Sequence, residues 1–255
     1  MGKSPFPSRF YSDRLKAGKQ VMAELRVGTS GYAYKEWKGS FYPKELPDRG
    51  MLGFYSQQLR TVEINHTFYR MPTEKVLEGW SESVPADFRF VLKANQKITH
   101  IQKLRDCGET LRRFLEPASV LARRELLGPI LFQLPPTFRA DARLLEDFLQ
   151  LRPQAFRFAL EVRHPSWHTE EIYSLLRRHQ TALCLAETDK DSPPEITTAD
   201  FVYARLRRPS YTAQELAAWK ERCQAWLQQG LDVYIFFKHE EAGQAPAYAR
   251  RLLAS

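Results

Sequence analysis

The sequence predicts a single α/β domain closed into an irregular (β/α)8 barrel, and three observations predict it. Short runs with period-two alternation of apolar residues trade places with helical runs from about residue 24 to the C-terminus, the pattern of a parallel sheet jacketed by helices. About eight such units fit in a chain of 255 residues, a length common for one closed barrel of the TIM type. No linker, repeat or low-complexity stretch divides them, so residues 24–255 read as one barrel and residues 1–23 as an N-terminal extension. The irregularity is expected after the sixth strand. There the link Thr188 to Asp200, broken by Pro193-Pro194, is too short for an ordinary helix.

The first strand is expected at Leu25 to Thr29, ending in Gly28-Thr29-Ser30-Gly31, where glycine permits a tight turn. An aromatic loop follows with Tyr32, Tyr34, Trp37 and Phe41-Tyr42; it serves either as a binding wall or as a cover packed over the barrel top. Leu52 to Leu59 gives a helix and Thr61 to Asn65 the second strand, with Glu63, Asn65 and then Thr67 on one face. Thr73 is placed to cap the helix carrying Val76, Leu77 and Trp80. Phe88 to Asn95 is the third strand: Phe90 and Leu92 face one way, Val91, Lys93 and Asn95 the other. A helical run from Leu111 to Leu121 contains Pro117, which predicts a kink or break.

Gly128 to Leu134 gives the fourth strand, with Gln133 its lone polar residue, and Leu144 to Leu149 the next helix face. The fifth strand lies in FRFALEVRHPSW, residues 156–167. Phe156, Phe158, Leu160 and Val162 share one face, and Arg157, Ala159, Glu161 and Arg163 the other. Thr169 caps the helix after it, and Ala182 to Glu187 is the sixth strand. The seventh, Phe201 to Arg207, carries Tyr203, Arg205 and Arg207 on one face. Thr212 and Glu215 form a capping box for a helix that Gly230 ends. Val233 to Lys238 is the eighth strand, and Tyr248, Leu252 and Leu253 mark a closing helix.

Composition bounds the partners. With 43% hydrophobic residues, 16 Phe, 11 Tyr and 5 Trp, one large core is well supplied. The cysteines, Cys107, Cys184 and Cys223, are odd in number and far apart, which suits reduced buried thiols and a cytoplasmic location. The N-terminal residues lack the apolar core of a signal peptide and no stretch reaches transmembrane length, so no membrane partner is expected. A net charge of +8 suits an anionic partner.

Five segments, GTSGYAYKEW, VEINHTFYRMP, FVLKANQKITH, GPILFQLPPTF and LEVRHPSW, recur in this order in the YecE-like, or DUF72, proteins, which the chain resembles from Arg26 onward. The resemblance implies a TIM-type barrel in a family without an established activity. Arg207-Arg208 stands where many members resemble a His-Gly pair, and Lys238-His239-Glu240 replaces an Asn-rich strand end, which implies a more basic mouth here.

Barrels of this type place chemistry at the C-terminal ends of their strands. Alternation alone selects an inward polar set there: Ser30, Glu63, Asn65, Lys93, Asn95, Gln133, Glu161, Arg163, Arg205, Arg207 and Lys238. Tyr34, Trp37, Thr67, His164 and Trp167 join them as ligand-binding candidates from adjoining loops. A purely structural lumen would be filled with branched apolar residues, so the set points to a small anionic ligand bearing phosphate or carboxylate. Glu161 and Glu63 are the expected acid/base pair, Lys93 a Schiff-base or electrostatic residue, and Arg163 and Arg205 the anion holders. The bland alternative is an ion-pair network that only neutralises itself.

His66, His100, His164, His168, His239, Glu161, Glu187 and Asp189 are conceivable metal ligands, but none has HExxH spacing, so the expected chemistry takes no metal or other cofactor. The competing class is a nucleic-acid or nucleotide binding module. It would use the basic doublets at 112–113, 123–124, 177–178, 207–208 and 250–251, most of them scattered over outer helices. A third reading is a protein-interaction barrel docking a partner through Trp37 and Tyr34. Oligomeric state is left open.

Overall fold

Eight alternating apolar runs close on one another in the computed structural model, which describes residues 22–189, 194–238 and 243–254. They are β1 (Leu25–Ser30), β2 (Thr61–Ile64), β3 (Arg89–Lys93), β4 (Leu127–Gln133), β5 (Phe158–Glu161), β6 (Thr181–Glu187), β7 (Phe201–Leu206) and β8 (Asp232–Phe237). All pair in parallel and in chain order, and β8 returns to β1 from Leu25–Val233 to Thr29–Phe237. The helices between them are α1 (Met51–Gln58), α2 (His66–Tyr69), α3 (Glu74–Glu82), α4 (Gly108–Arg123), α5 (Ala142–Gln150), α6 (Glu170–Arg178), α7 (Ala213–Gln228) and α8 (Gln244–Ala254). None among the described residues is long and apolar enough to cross a membrane.

Period-two alternation divides the core into two. Val91, Leu131, Ala159, Cys184, Tyr203 and Phe236 fill the lumen. Phe90, Leu92, Phe158 and Leu160 face outward and pack with helix residues such as Leu111, Leu145 and Phe148. The expected parities of β3 and β5 are therefore observed. At the N-terminal end of the lumen Arg157 donates to Asp232 at 2.7 Å and to Asp200 at 3.0 Å.

Several local expectations are corrected. α4 runs unbroken through Pro117, because its buried face, from Leu111 and Phe114 to Leu121, continues on both sides of the proline. Thr73 occupies the N-cap of α3 with extended backbone, but its hydroxyl makes no capping bond, whereas Thr169 caps α6 and the Thr212/Glu215 box is complete. α2 and a π-helical turn at Lys97–Ile101 follow β2 and β3, where no periodic signal announced them. Between β6 and β7 no helix occurs among the described residues, as expected, and residues 190–193 of that link lie outside them. So do residues 1–21 of the extension, together with His239 and Glu240.

Gly28 shows why β1 and β2 can lie so close. A Cβ there would sit 2.1 Å from the carbonyl oxygen of Thr61, a backbone atom fixed in the barrel wall. Gly28→Ala is therefore expected to destabilise the barrel by about 2 kcal/mol or more. Urea unfolding measures this; a variant within about 0.5 kcal/mol of the parent would mean that the wall yields at this point.

Candidate functional site

The C-terminal end of the lumen is organised by three charges from three strands. Glu63 is the third residue of β2, Glu161 the last of β5 and Arg205 the fifth of β7, and alternation turns all three inward. Arg205 bridges the carboxylates. Its Nη2 donates to Glu63 Oε1 at 2.8 Å, and its Nη1 donates to Glu161 Oε2 at 2.5 Å and to Gln133 Oε1 at 3.3 Å. Glu63 also accepts from Ser30 Oγ at 2.8 Å and from the Tyr203 hydroxyl at 2.6 Å. Glu161 Oε1 accepts from Arg163 Nε at 3.0 Å and Arg207 Nη2 at 3.3 Å. Both carboxylates are 0% exposed and Arg205 2%.

Burial by itself would raise the Glu161 pKa, but Arg205, Arg207 and Arg163 outweigh it and hold the carboxyl at about 2. Burial would likewise favour the neutral form of Arg205; Glu63 and Glu161 overcome it and keep the guanidinium firmly charged. Burial, and then Glu63, push the Tyr203 hydroxyl well above its ordinary value. The same burial, reinforced by Glu161, keeps the Cys184 thiol protonated.

Above this sealed layer the mouth opens. The Arg163 side chain is 33% exposed and that of Arg207 17%. Each spends one edge on Glu161, and the Nε of Arg207, like that of Arg205, is buried without a partner. Lys93, at the end of β3, is half-buried with Nζ 4.1 Å from the centre of the Phe68 ring. Among the described residues no carboxylate or other acceptor lies within bonding distance of Nζ. Burial and then Arg205 lower its pKa to about 8, with Arg163 adding to them and Glu63 and Glu161 opposing. His100 stands edge-on to Phe68 at 4.9 Å, shares a 2.9 Å hydrogen bond between Nδ1 and Thr99 Oγ1, and is pushed toward the neutral form by burial, Lys93 and Arg163. Glu63 and Glu161 thus stand against Lys93, Arg163, Arg205 and Arg207, an excess of two positive charges.

Of the residues singled out from sequence, Ser30, Glu63, Lys93, Gln133, Glu161, Arg163, Arg205 and Arg207 come together. The others do not. Asn95 ties loops: its Nδ2 donates to Thr67 O at 3.1 Å and its Oδ1 accepts from the Lys97 amide at 3.0 Å. Thr67 Oγ1 donates to Lys93 O at 2.7 Å, fixing the strand end beneath the amine. Asn65 is the half-buried N-cap of α2. Tyr34 donates its hydroxyl to Ser30 O at 2.7 Å.

Trp37 is fully buried against Phe41 and Tyr42, so of the two readings of the aromatic loop its indole takes the packed one. Trp167 is buried too, its Nε1 donating to Phe138 O at 2.7 Å. His164 Nδ1 accepts from the Ser166 amide at 3.2 Å and caps a 3-10 turn. Lys238 is exposed just beyond β8. Glu187, a conceivable metal ligand, faces outward and accepts from Tyr211 at 2.9 Å and Arg208 at 3.3 Å. No three His, Cys, Asp or Glu side chains among the described residues are grouped as a metal would need.

Tyr203 and Phe68 belong to the site though neither is among its expected residues, and His100, expected only as a conceivable metal ligand, stands there beside Phe68. Tyr203 shares the face of Arg205, so its parity announced it, but an aromatic reads as core. Phe68 and His100 lie in turns where alternation gives no direction.

The Glu161 carboxyl titrates lower in the fold than its ordinary value of 4.5, so its contribution to stability is fully present above about pH 4.5 and is lost as pH falls through about 2. The shift corresponds to on the order of 3 kcal/mol. Urea unfolding at pH 6 and at pH 3 should show the loss, and Glu161→Gln should be destabilised by about 3 kcal/mol at neutral pH, with a flatter acid limb. An unchanged acid limb in that variant would remove Glu161 as its source.

The profile of the family described as "Protein of unknown function DUF72" matches residues 26–255. The chain is 29% identical over 230 residues to the UPF0759 protein YecE of Escherichia coli (strain K12), covering 78% of this chain and 82% of that one. It is 23% identical to the UPF0759 protein YunF of Bacillus subtilis (strain 168), covering 90% and 93%. The crystal structure of a DUF72 family protein from Thermotoga maritima MSB8 superposes with a TM-score of 0.81 at 27% identity, covering 90% of this chain and 98% of that one. With the profile running from the second residue of β1 through β8 and α8, this chain belongs to the DUF72 family.

Proposed function

We propose that this protein is an enzyme acting on a small anionic substrate at the barrel mouth, with Lys93 as the group that exchanges a proton with it. One observation carries the reading: both Nη groups of Arg163, the Nη1 of Arg207 and the Lys93 amine have no acceptor among the described residues, while the carboxylates beneath them each accept three hydrogen bonds. Two excess positive charges among partly desolvated side chains at the strand ends attract an anion more strongly than the same charges on a fully solvated surface. Planar guanidiniums suit phosphate or carboxylate.

The carboxylates expected to act as acid and base fit another role. A carboxyl held at about 2 is a poor proton donor near neutrality, and three guanidiniums already occupy its oxygens. Glu161 and Glu63 orient the arginines. Lys93, brought to about 8, sits close to the working range of a general acid or base.

The nucleic-acid reading is weaker because four members of the basic doublets are paired with acids on their own surface. Arg112 pairs with Glu109 and Glu116, Arg177 with Glu170, Arg178 with Glu146, and Arg208 with Glu187 and Glu215. The docking reading loses Trp37, which is buried.

Calorimetric titration with inorganic phosphate and with pyruvate at low ionic strength tests the proposal. Binding of at least one anion is expected, weakened about tenfold by Arg163→Ala or Arg207→Ala and unaffected by Lys75→Ala on the exposed side of α3. Absence of binding by both probes, or equal loss in Lys75→Ala, would overturn it.

A further inference from the structure

Resting on that reading and going beyond it, we propose that Lys93 is an imine-forming lysine and that the substrate is an anionic carbonyl compound, an aldehyde or ketone bearing a carboxylate or phosphate. The geometry argues for a nucleophile over a mere anchor. An anchoring lysine serves best fully charged and solvated. Lys93 is instead half-buried, laid on the face of Phe68, and without an oxygen partner among the described residues. The charged groups facing it are Arg205 on β7, Arg163 after β5, Glu63 on β2 and Glu161 on β5, with His100 from its own following turn.

Burial and the guanidiniums bring its pKa to about 8, so about a tenth of the amine is neutral at pH 7. An ordinary lysine at about 10.4 is neutral less than a thousandth of the time. The advantage in nucleophile concentration is roughly two orders of magnitude, and the free donors of Arg163 and Arg207 stand ready for the anion of the same molecule.

The step needs only one proton from solvent. The neutral Nζ attacks the carbonyl carbon, forming a C–N bond as the π pair moves to oxygen. A proton passes from nitrogen to that oxygen through water at the open mouth, giving a carbinolamine. A proton from solvent, delivered through the same water, turns the hydroxyl into a leaving water as the nitrogen lone pair forms C=N, so amine, carbonyl and one proton give iminium and water. The iminium withdraws electrons from the neighbouring bond, so the reaction class is one that makes or breaks a bond beside the carbonyl; hydrolysis returns the amine.

Borohydride trapping with peptide mapping on the full chain tests this, using pyruvate for the carboxylate class and dihydroxyacetone phosphate for the phosphate class. One of the two should leave a reduced adduct concentrated at Lys93, and the better probe names the anion. The yield at Lys93 should rise through about pH 8, while other lysines gain only at higher pH. Lys93→Arg, which keeps the charge and lacks a nucleophile, should lose the adduct yet bind phosphate within about threefold of the parent. Adducts spread over exposed lysines without enrichment at Lys93 would sink the imine. If phosphate or pyruvate still bound, the anion reading would survive that failure; if neither bound, both would fall.

Discussion

Glu63, Arg205 and Glu161 are three charges shut away from water in a lumen otherwise filled by Val91, Leu131, Ala159 and Phe236. None of them is tolerable alone, since an unpaired ion in such surroundings costs several kcal/mol in lost hydration. Their partners come from β2, β5 and β7, which are not neighbours in the sheet. Arg205 reaches Glu63 across 142 positions of sequence and Glu161 across 44. Only the closed barrel brings all three together. An open sheet, or a register slipped by one residue, would turn one of them into the helical jacket and leave the other two uncompensated.

The same requirement decides what the mouth offers to a ligand. A carboxylate that must neutralise a buried guanidinium is no longer free to shuttle protons, and Glu161 has three guanidiniums around it. Its influence is exerted upward. It holds one edge of Arg163 and one of Arg207, which orients their remaining nitrogens and shortens the entropy to be lost when an anion arrives. The triad is thus the rigid support of a more exposed shell, and the excess positive charge sits where water and solutes reach it.

Much of the fold was legible because period two is a strong signal in a barrel: Phe90 against Val91, or Leu160 against Glu161, can be assigned from the chain alone. The same alternation found most of the inner site, since Glu63, Lys93, Gln133, Glu161 and Arg205 all lie on strands. Loops carry no period. Trp37 and Trp167 look like ligand platforms by residue type and position, yet Trp37 packs on Phe41 and Tyr42 of its own loop and Trp167 on Phe138 from a distant one, contacts that no period announces. Phe68, and the placing of His100 beside it, were hidden for the converse reason, on turns too short to announce themselves. Pro117 breaks a helix in isolation, but the packed face of α4 prevails over it. Nor does alternation say which inward charges touch, so it leaves both an acid/base role for Glu161 and a self-neutralising network open, and the three guanidiniums around Glu161 are given by the fold alone.

The two ends of the lumen answer the question of whether the inward charges exist only to neutralise one another. At the N-terminal end Arg157 meets Asp232 and Asp200, Arg26 pairs with Glu24, and Arg89 donates to the carbonyls of Ala86 and Phe88, so three cations stand with three carboxylates. At the C-terminal end four cations meet two carboxylates, and the two best satisfied groups, Glu63 and Glu161, are the deepest. A network selected for stability alone has no reason to differ in this way, since an uncompensated cation in a low-dielectric mouth is destabilising wherever it is placed. The imbalance lies on the end where the strands point their last side chains together, and it takes the form of donors held in place by buried acids. That arrangement has a physical rationale once a negatively charged molecule is counted among the partners.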